Sequence, residues 1–147
     1  MKLNRVFYVF AFVLLSLASC FAHHLAVVVA KDNNVGGLTS AELAKILKIE
    51  SKKWPSGKDI VIVLHRNSAP ESLVMQRLSK MSDKEVKALI AAHKDSIIVV
   101  DSDDDLLEQV RLTPGAIGLV NVHAVKAGVN VLKVDGKLPF ERGYLPD

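Results

Sequence analysis

Ile60-Val61-Ile62-Val63-Leu64-His65-Arg66-Asn67-Ser68-Ala69-Pro70-Glu71 is the stretch whose reading decides the fold. It opens on Ile60 to Leu64, an unbroken apolar run dominated by β-branched residues, which is the pattern of a strand covered on both faces. A short polar turn follows at once. Ser68 then stands as a helix N-cap, with Glu71 three residues on in the capping-box position. Leu73, Val74 and Leu78 supply the apolar face of the helix.

The same alternation runs outward in both directions. Upstream, Leu25 to Ala30 reads as a buried strand, and Lys31 to Gly37 as a loop rich in turn residues. Thr39 with Glu42 opens a helix whose buried stripe is Leu43, Ile46 and Leu47. Ser51 to Asp59 is a loop holding Trp54, Pro55 and Gly57. Downstream, Ser82 with Glu85 starts a helix reaching about His93, and Ile97 to Val100 is a strand. Ser102 with Asp105 starts the last helix, closed by Pro114-Gly115. Ala116 to Val120 and Val129 to Val134 are the final strands, and Asp135-Gly136 is a turn before a tail that is mostly loop. Strands alternating with helices predict an α/β fold with a mostly parallel central sheet flanked by helices.

The first residues form a separate unit. Lys2 and Arg5 precede the apolar run Val6 to Leu17, and small residues follow. That order predicts a secretory signal peptide over 1–22, with 23–147 as a single mature domain. The apolar run falls short of the roughly 20 residues that span a bilayer. The chain carries 19 basic and 16 acidic residues, a net charge of +3. Loss of Lys2 and Arg5 leaves 17 against 16, or +1. Lys52 and Lys53 are the only adjacent basic pair, so nothing predicts a nucleic-acid partner. Cys20 is the single cysteine, which excludes an internal disulfide and a cysteine-based zinc site. Leu17-Ala18-Ser19-Cys20 reads as a lipobox that would anchor a lipid on Cys20. Cys20-Phe21-Ala22 reads equally as a cleavage site that discards it.

In α/β sheets ligands settle at the carboxyl ends of strands, where helices begin. At the Leu64-to-Ser68 junction a helix start offers unpaired amides and partial positive charge. Arg66 adds forked donors and Ser68 a hydroxyl, together a cradle for an oxyanion. The same residues also describe an ordinary capped helix beside a surface arginine. Asp101-Ser102-Asp103-Asp104-Asp105 lacks the glycine and distal glutamate of a calcium loop and reads as a helix cap. His23-His24 could hold copper or nickel as a free amino end, or be incidental. No G-x-S-x-G or H-E-x-x-H is present, and His65 has no nucleophile beside it, so the residues call for neither catalysis nor a cofactor.

Four passages in order resemble the substrate-binding proteins of phosphate ABC transporters. Leu38 to Leu47 followed by Trp54-Pro55-Ser56-Gly57 resembles that family's helix and W-x-x-G passage. Val63 to Ser68 resembles its strand, arginine and serine loop. Pro114-Gly115-Ala116-Ile117-Gly118-Leu119-Val120 is similar to its P-G-A-I-G-Y-V strand, and Val134 to Pro139 to its V-x-G-x-x-P close. The resemblance implies a periplasmic-binding-protein type II-like lobe in which Arg66 and Ser68 hold phosphate. Asn67, Ser72 and Thr39 are further candidates for ligand binding. It implies an extracytoplasmic solute-binding protein serving an ABC permease or a membrane sensor, without turnover. Full-length relatives have two lobes and this chain has residues for one. Ala69-Pro70-Glu71 replaces the family's glycine-threonine turn, Pro70 removes a donor, and Leu119 replaces a tyrosine. Those departures favour the alternative, a ligand-free interaction module in an envelope complex or signalling system.

Overall fold

The computed structural model describes residues 24–146. β1 is Leu25–Ala30, β2 Gly37–Leu38 and α1 Ser40–Leu47. β3 is Val61–His65, α2 Ala69–Ser79, α3 Asp83–Ala92, β4 Ile97–Val100 and α4 Asp103–Leu112. β5 is Ala116–Asn121, a 3-10 turn spans Val122–Ala124, β6 is Val129–Val131 and β7 Lys133–Val134. Five strands form the central sheet in the order β4-β3-β5-β1-β6, and β2 pairs with β7 in a second, two-stranded sheet.

The sheet sits between two apolar layers, as the continuous hydrophobic runs require. Along β1, Leu25, Val27 and Val29 face one layer, while Ala26 and Val28 face the other. All five are buried. The first layer receives Leu43, Ile46 and Leu47 from α1, Val74 and Met75 from α2, and Val86 from α3. The second receives Leu106, Leu107 and Val110 from α4. Three helices therefore cover one face and one covers the other.

The α/β class and the flanking helices are as the sequence predicts. The sheet is mostly parallel by strand direction, as expected: β4, β3, β5 and β6 all run one way and β1 is the reversed strand. β3 pairs in parallel with β4 and β5, but β1 runs antiparallel to both β5 and β6. An apolar run buried on both faces has the same composition in either direction, so the reversal of β1 leaves no trace in its residues. Leu25 pairs with Asn121, so β1 begins at the edge where the parallel strands end.

The predicted strand from Val129 to Val134 is two strands. Leu132, only 1% exposed, turns into the core and divides β6 from β7. β7 then leaves the main sheet to pair with β2, with Leu38 opposite Val134. The tail is mostly loop but it is anchored. The buried Tyr144 hydroxyl donates to the Leu132 carbonyl at 2.6 Å and accepts from the Val27 amide at 3.0 Å. It occupies the β1 ladder where β6 has ended.

Two quoted motifs meet in the core. The Trp54 indole N–H donates to the Gly115 carbonyl at 2.9 Å. Gly115 has φ +78°, and a Cβ placed there would lie 2.0 Å from the Asp59 carbonyl oxygen. Only glycine fits.

Candidate functional site

β3, β4 and β5 end on the same edge of the sheet. The β3–β5 ladder runs only to Val63 opposite Gly118, whereas the β3–β4 ladder continues to His65 opposite Val100. The His65 amide therefore lacks a strand partner on the β5 side. Glu71 supplies it: both carboxyl oxygens accept from His65 N–H, at 3.1 and 3.2 Å.

This corrects the reading of Glu71 as a capping-box partner of Ser68. Ser68 does occupy the N-cap of α2, with extended backbone, but its side chain makes no cap hydrogen bond. Glu71 is drawn inward and is only 3% exposed. Burial pushes its carboxyl up to about 8. The His65 hydrogen bond works against that rise, and the nearby Asp103 carboxylate adds to it. At neutral pH Glu71 is thus mostly protonated, and places little negative charge beside an incoming anion. The other two boxes form as read, Thr39 with Glu42 and Ser82 with Glu85.

The turn between β3 and α2 takes its shape from Asn67, whose φ of +60° is left-handed. It is tied to the loop after β4. Arg66 N–H donates to the Val100 carbonyl at 2.7 Å. Arg66 Nε donates to Asp101 Oδ1 at 2.8 Å, and His65 Nδ1 lies 3.1 Å from Asp103 Oδ1. The Arg66–Asp101 pair is a surface pair, with side chains 58% and 74% exposed. It engages Nε and leaves the terminal nitrogens without a hydrogen bond among the described residues, so it does not sequester the guanidinium. Pro70 sits in the first turn of α2 and removes one donor there.

Beside this turn lies a groove of roughly 840 Å³ between α2 and α3, over the carboxyl end of β3 and along β4. Arg66, Asn67, Ser68 and Ser72 line one end of it, with Glu71 beneath. Four of the five residues singled out from sequence therefore converge. The Ser72 hydroxyl accepts from Gln76 Nε2 at 3.0 Å and keeps its own proton to donate. Thr39 lies apart from the groove, and its hydroxyl is used in capping α1. Sequence reading missed the groove itself. Its far wall comes from Val86, Ile90 and Ala91 of α3, whose spacing reads equally as ordinary core.

The acidic run after β4 is divided among basic side chains. Asp101 meets Arg66, Asp103 meets His65, and Asp104 meets Lys126, while Ser102 caps α4. Among the described residues no group of three or more His, Cys, Asp or Glu could hold a metal. The predicted leader, Cys20 and His23 lie outside the described residues.

The sheet, its flanking helices and the strand-end turn give the chain the fold of a periplasmic-binding-protein type II-like lobe. No family model matches the chain. Among curated proteins, it is similar to the phosphate-binding protein PstS of Borreliella burgdorferi, at 26% identity over 127 residues, covering 78% of this chain and 44% of that protein. Among solved structures, it is similar to an ABC-type phosphate transport receptor from Vibrio cholerae, with TM-score 0.64, 21% identity, and coverage of 79% of this chain and 48% of that one. The crystal structure of PstS from Borrelia burgdorferi matches with TM-score 0.64 and 21% identity over 79% of this chain and 49% of that one. The resemblance to phosphate ABC transporter substrate-binding proteins thus holds in sequence and in fold, and this chain spans about half the length of those relatives.

Proposed function

We propose that the chain is an exported, extracytoplasmic solute-binding module that takes up an oxyanion, phosphate first, without turning it over. The observation that carries this reading is the convergence of Arg66, Asn67, Ser68 and Ser72 at the head of one groove, on the edge where the parallel strands end. The guanidinium supplies charge and paired donors, and the hydroxyls and the first amides of α2 supply neutral ones. Binding is electrostatic and hydrogen-bonded. The ligand then passes to an ABC permease or is reported to a membrane sensor, with the leader directing export to the periplasm and being cut either after Ala22 or ahead of a lipid-bearing Cys20.

Isothermal titration of the mature protein with inorganic phosphate tests the proposal. Saturable heat is expected from the native chain, and Arg66→Ala abolishes it. A single lobe leaves the anion partly solvated, so the affinity is weaker than a closed cleft would give. Heat that persists unchanged in Arg66→Ala sinks the assignment of the site. A second reading, an interaction module without ligand, draws on Pro70, which deletes a donor at the helix start, and on Asp101, which competes for Arg66. It predicts no heat with any oxyanion.

A further inference from the structure

The groove extends well beyond what an inorganic oxyanion would use. At roughly 840 Å³ it falls in the range of about 300 to 1,000 Å³ that accommodates drug-sized molecules. Arg66, Asn67, Ser68 and Ser72 are gathered at the β3–α2 end, Asp83, Lys87 and Lys94 stand on and after α3, and most of the remaining lining is apolar. Leu64 and Met75 form the inner floor, Val86 and Ile90 the α3 wall, and Ile97 and Val99 the surface of β4. β4 is the edge strand of the sheet, and its Val99 and Ile90 of α3 are half-buried. The charges on the lining are unbalanced. Arg66, Lys87 and Lys94 stand against Asp83 and the enclosed Glu71, while Asp101, outside the lining, already pairs with Arg66. Asp83 is itself paired with Lys87 at 2.6 Å.

We propose that the groove takes a single-chain phosphomonoester amphiphile, its phosphate seated at Arg66 and Ser68 and its alkyl chain laid along Val86 and Ile90 toward Ile97 and Val99. This rests on the anion-binding reading above and narrows the ligand class. Three observations support it. The polar and apolar parts of the lining are contiguous, so one molecule can satisfy both. Lys94 and the terminal guanidinium nitrogens of Arg66, which Asp101 does not engage, complement an anionic head. Ile90 and the edge-strand Val99 remain partly exposed, so an alkyl chain laid over them removes apolar surface from water, and the lysine stems can cover it while their ammonium groups stay in water.

The test is calorimetric titration of the mature protein with methyl phosphate, octyl phosphate below its micelle concentration, and octanol. Each methylene moved from water to the floor tightens binding about fourfold. Three such groups give octyl phosphate an advantage of about sixtyfold over methyl phosphate. Octanol alone binds feebly for want of a head. In Ile90→Gln the octyl-to-methyl ratio falls toward one. Ala91→Trp, at an exposed position on the same wall, fills the groove and gives the same collapse should Ile90→Gln fail to fold. Equal affinity for methyl and octyl phosphate overturns the inference while leaving the oxyanion site standing. Octyl phosphate binding that survives Arg66→Ala overturns it too, since the chain would then be acting alone. Absence of heat with either phosphate overturns both proposals. Sedimentation separates one further outcome: a concentration-dependent dimer lost in Ala91→Trp, with no ligand effect, means that a second copy fills the groove.

Discussion

Glu71 shows how a single side chain can be read correctly for its position and wrongly for its role. Its spacing from Ser68 matches that of the two capping boxes that do form, but the unpaired His65 amide inside draws it away. The consequence is measurable. With a folded value of about 8 against an ordinary 4.5, the carboxyl stays protonated in the native state after it has ionised in the unfolded one. Its contribution to stability is fully present below about pH 4.5, is lost as pH rises toward 8, and is constant above, a change on the order of a few kcal/mol. Urea midpoints measured from pH 4 to 9 are expected to show that decline, and Glu71→Gln to flatten it. A native curve that is already flat in this window places Glu71 in water. Gly115 is the opposite case, legible in the sequence as a turn and confirmed as obligatory. Gly115→Ala drives a methyl into the Asp59 carbonyl at a left-handed φ. The expected loss is about 2–4 kcal/mol, read from the denaturant midpoint. Arg66, Asn67, Ser68 and Ser72 were legible as a group because strand, turn and cap follow one another in sequence. The α3 wall opposite them was not, because it reaches the groove only through tertiary packing.

Elements that announce themselves by composition are placed where the sequence puts them. The apolar runs became β1, β3, β4 and β5, and the spaced leucines, isoleucines and valines became the buried faces of α1 and α4. Elements held by long-range partners were not legible. β2 is two residues long and contains Gly37, and β7 exists only because Leu38 lies opposite Val134. The direction of β1 and the anchoring of the tail belong to the same group. The tail anchor makes a prediction at this scale. Tyr144→Phe keeps the ring but deprives the buried Val27 amide and the Leu132 carbonyl of their shared partner. It is expected to cost about 1–3 kcal/mol and to increase hydrogen exchange at Val27. Unchanged exchange there means the hydroxyl does not complete the ladder.

At the scale of the molecule, one sheet separates the two apolar layers, and every strand of that sheet contributes to them. Neither layer can be lost without exposing the other face of the same strands. Thermal unfolding followed by tryptophan fluorescence and by far-ultraviolet circular dichroism is therefore expected to give one coincident transition. Two separated midpoints would mean that the α4 side melts independently. The reversal of β1 also bears on how the protein can be handled. Because that strand starts where β5 finishes, His24 lies on the rim that carries Arg66, two strand spacings or about 10 Å away across the sheet. A purification tag, a fluorophore or a surface linker fused ahead of His24 would thus crowd the mouth of the groove and depress apparent affinity. Such attachments belong instead on the exposed Ser56-Gly57 turn, which joins the sheet from its opposite end.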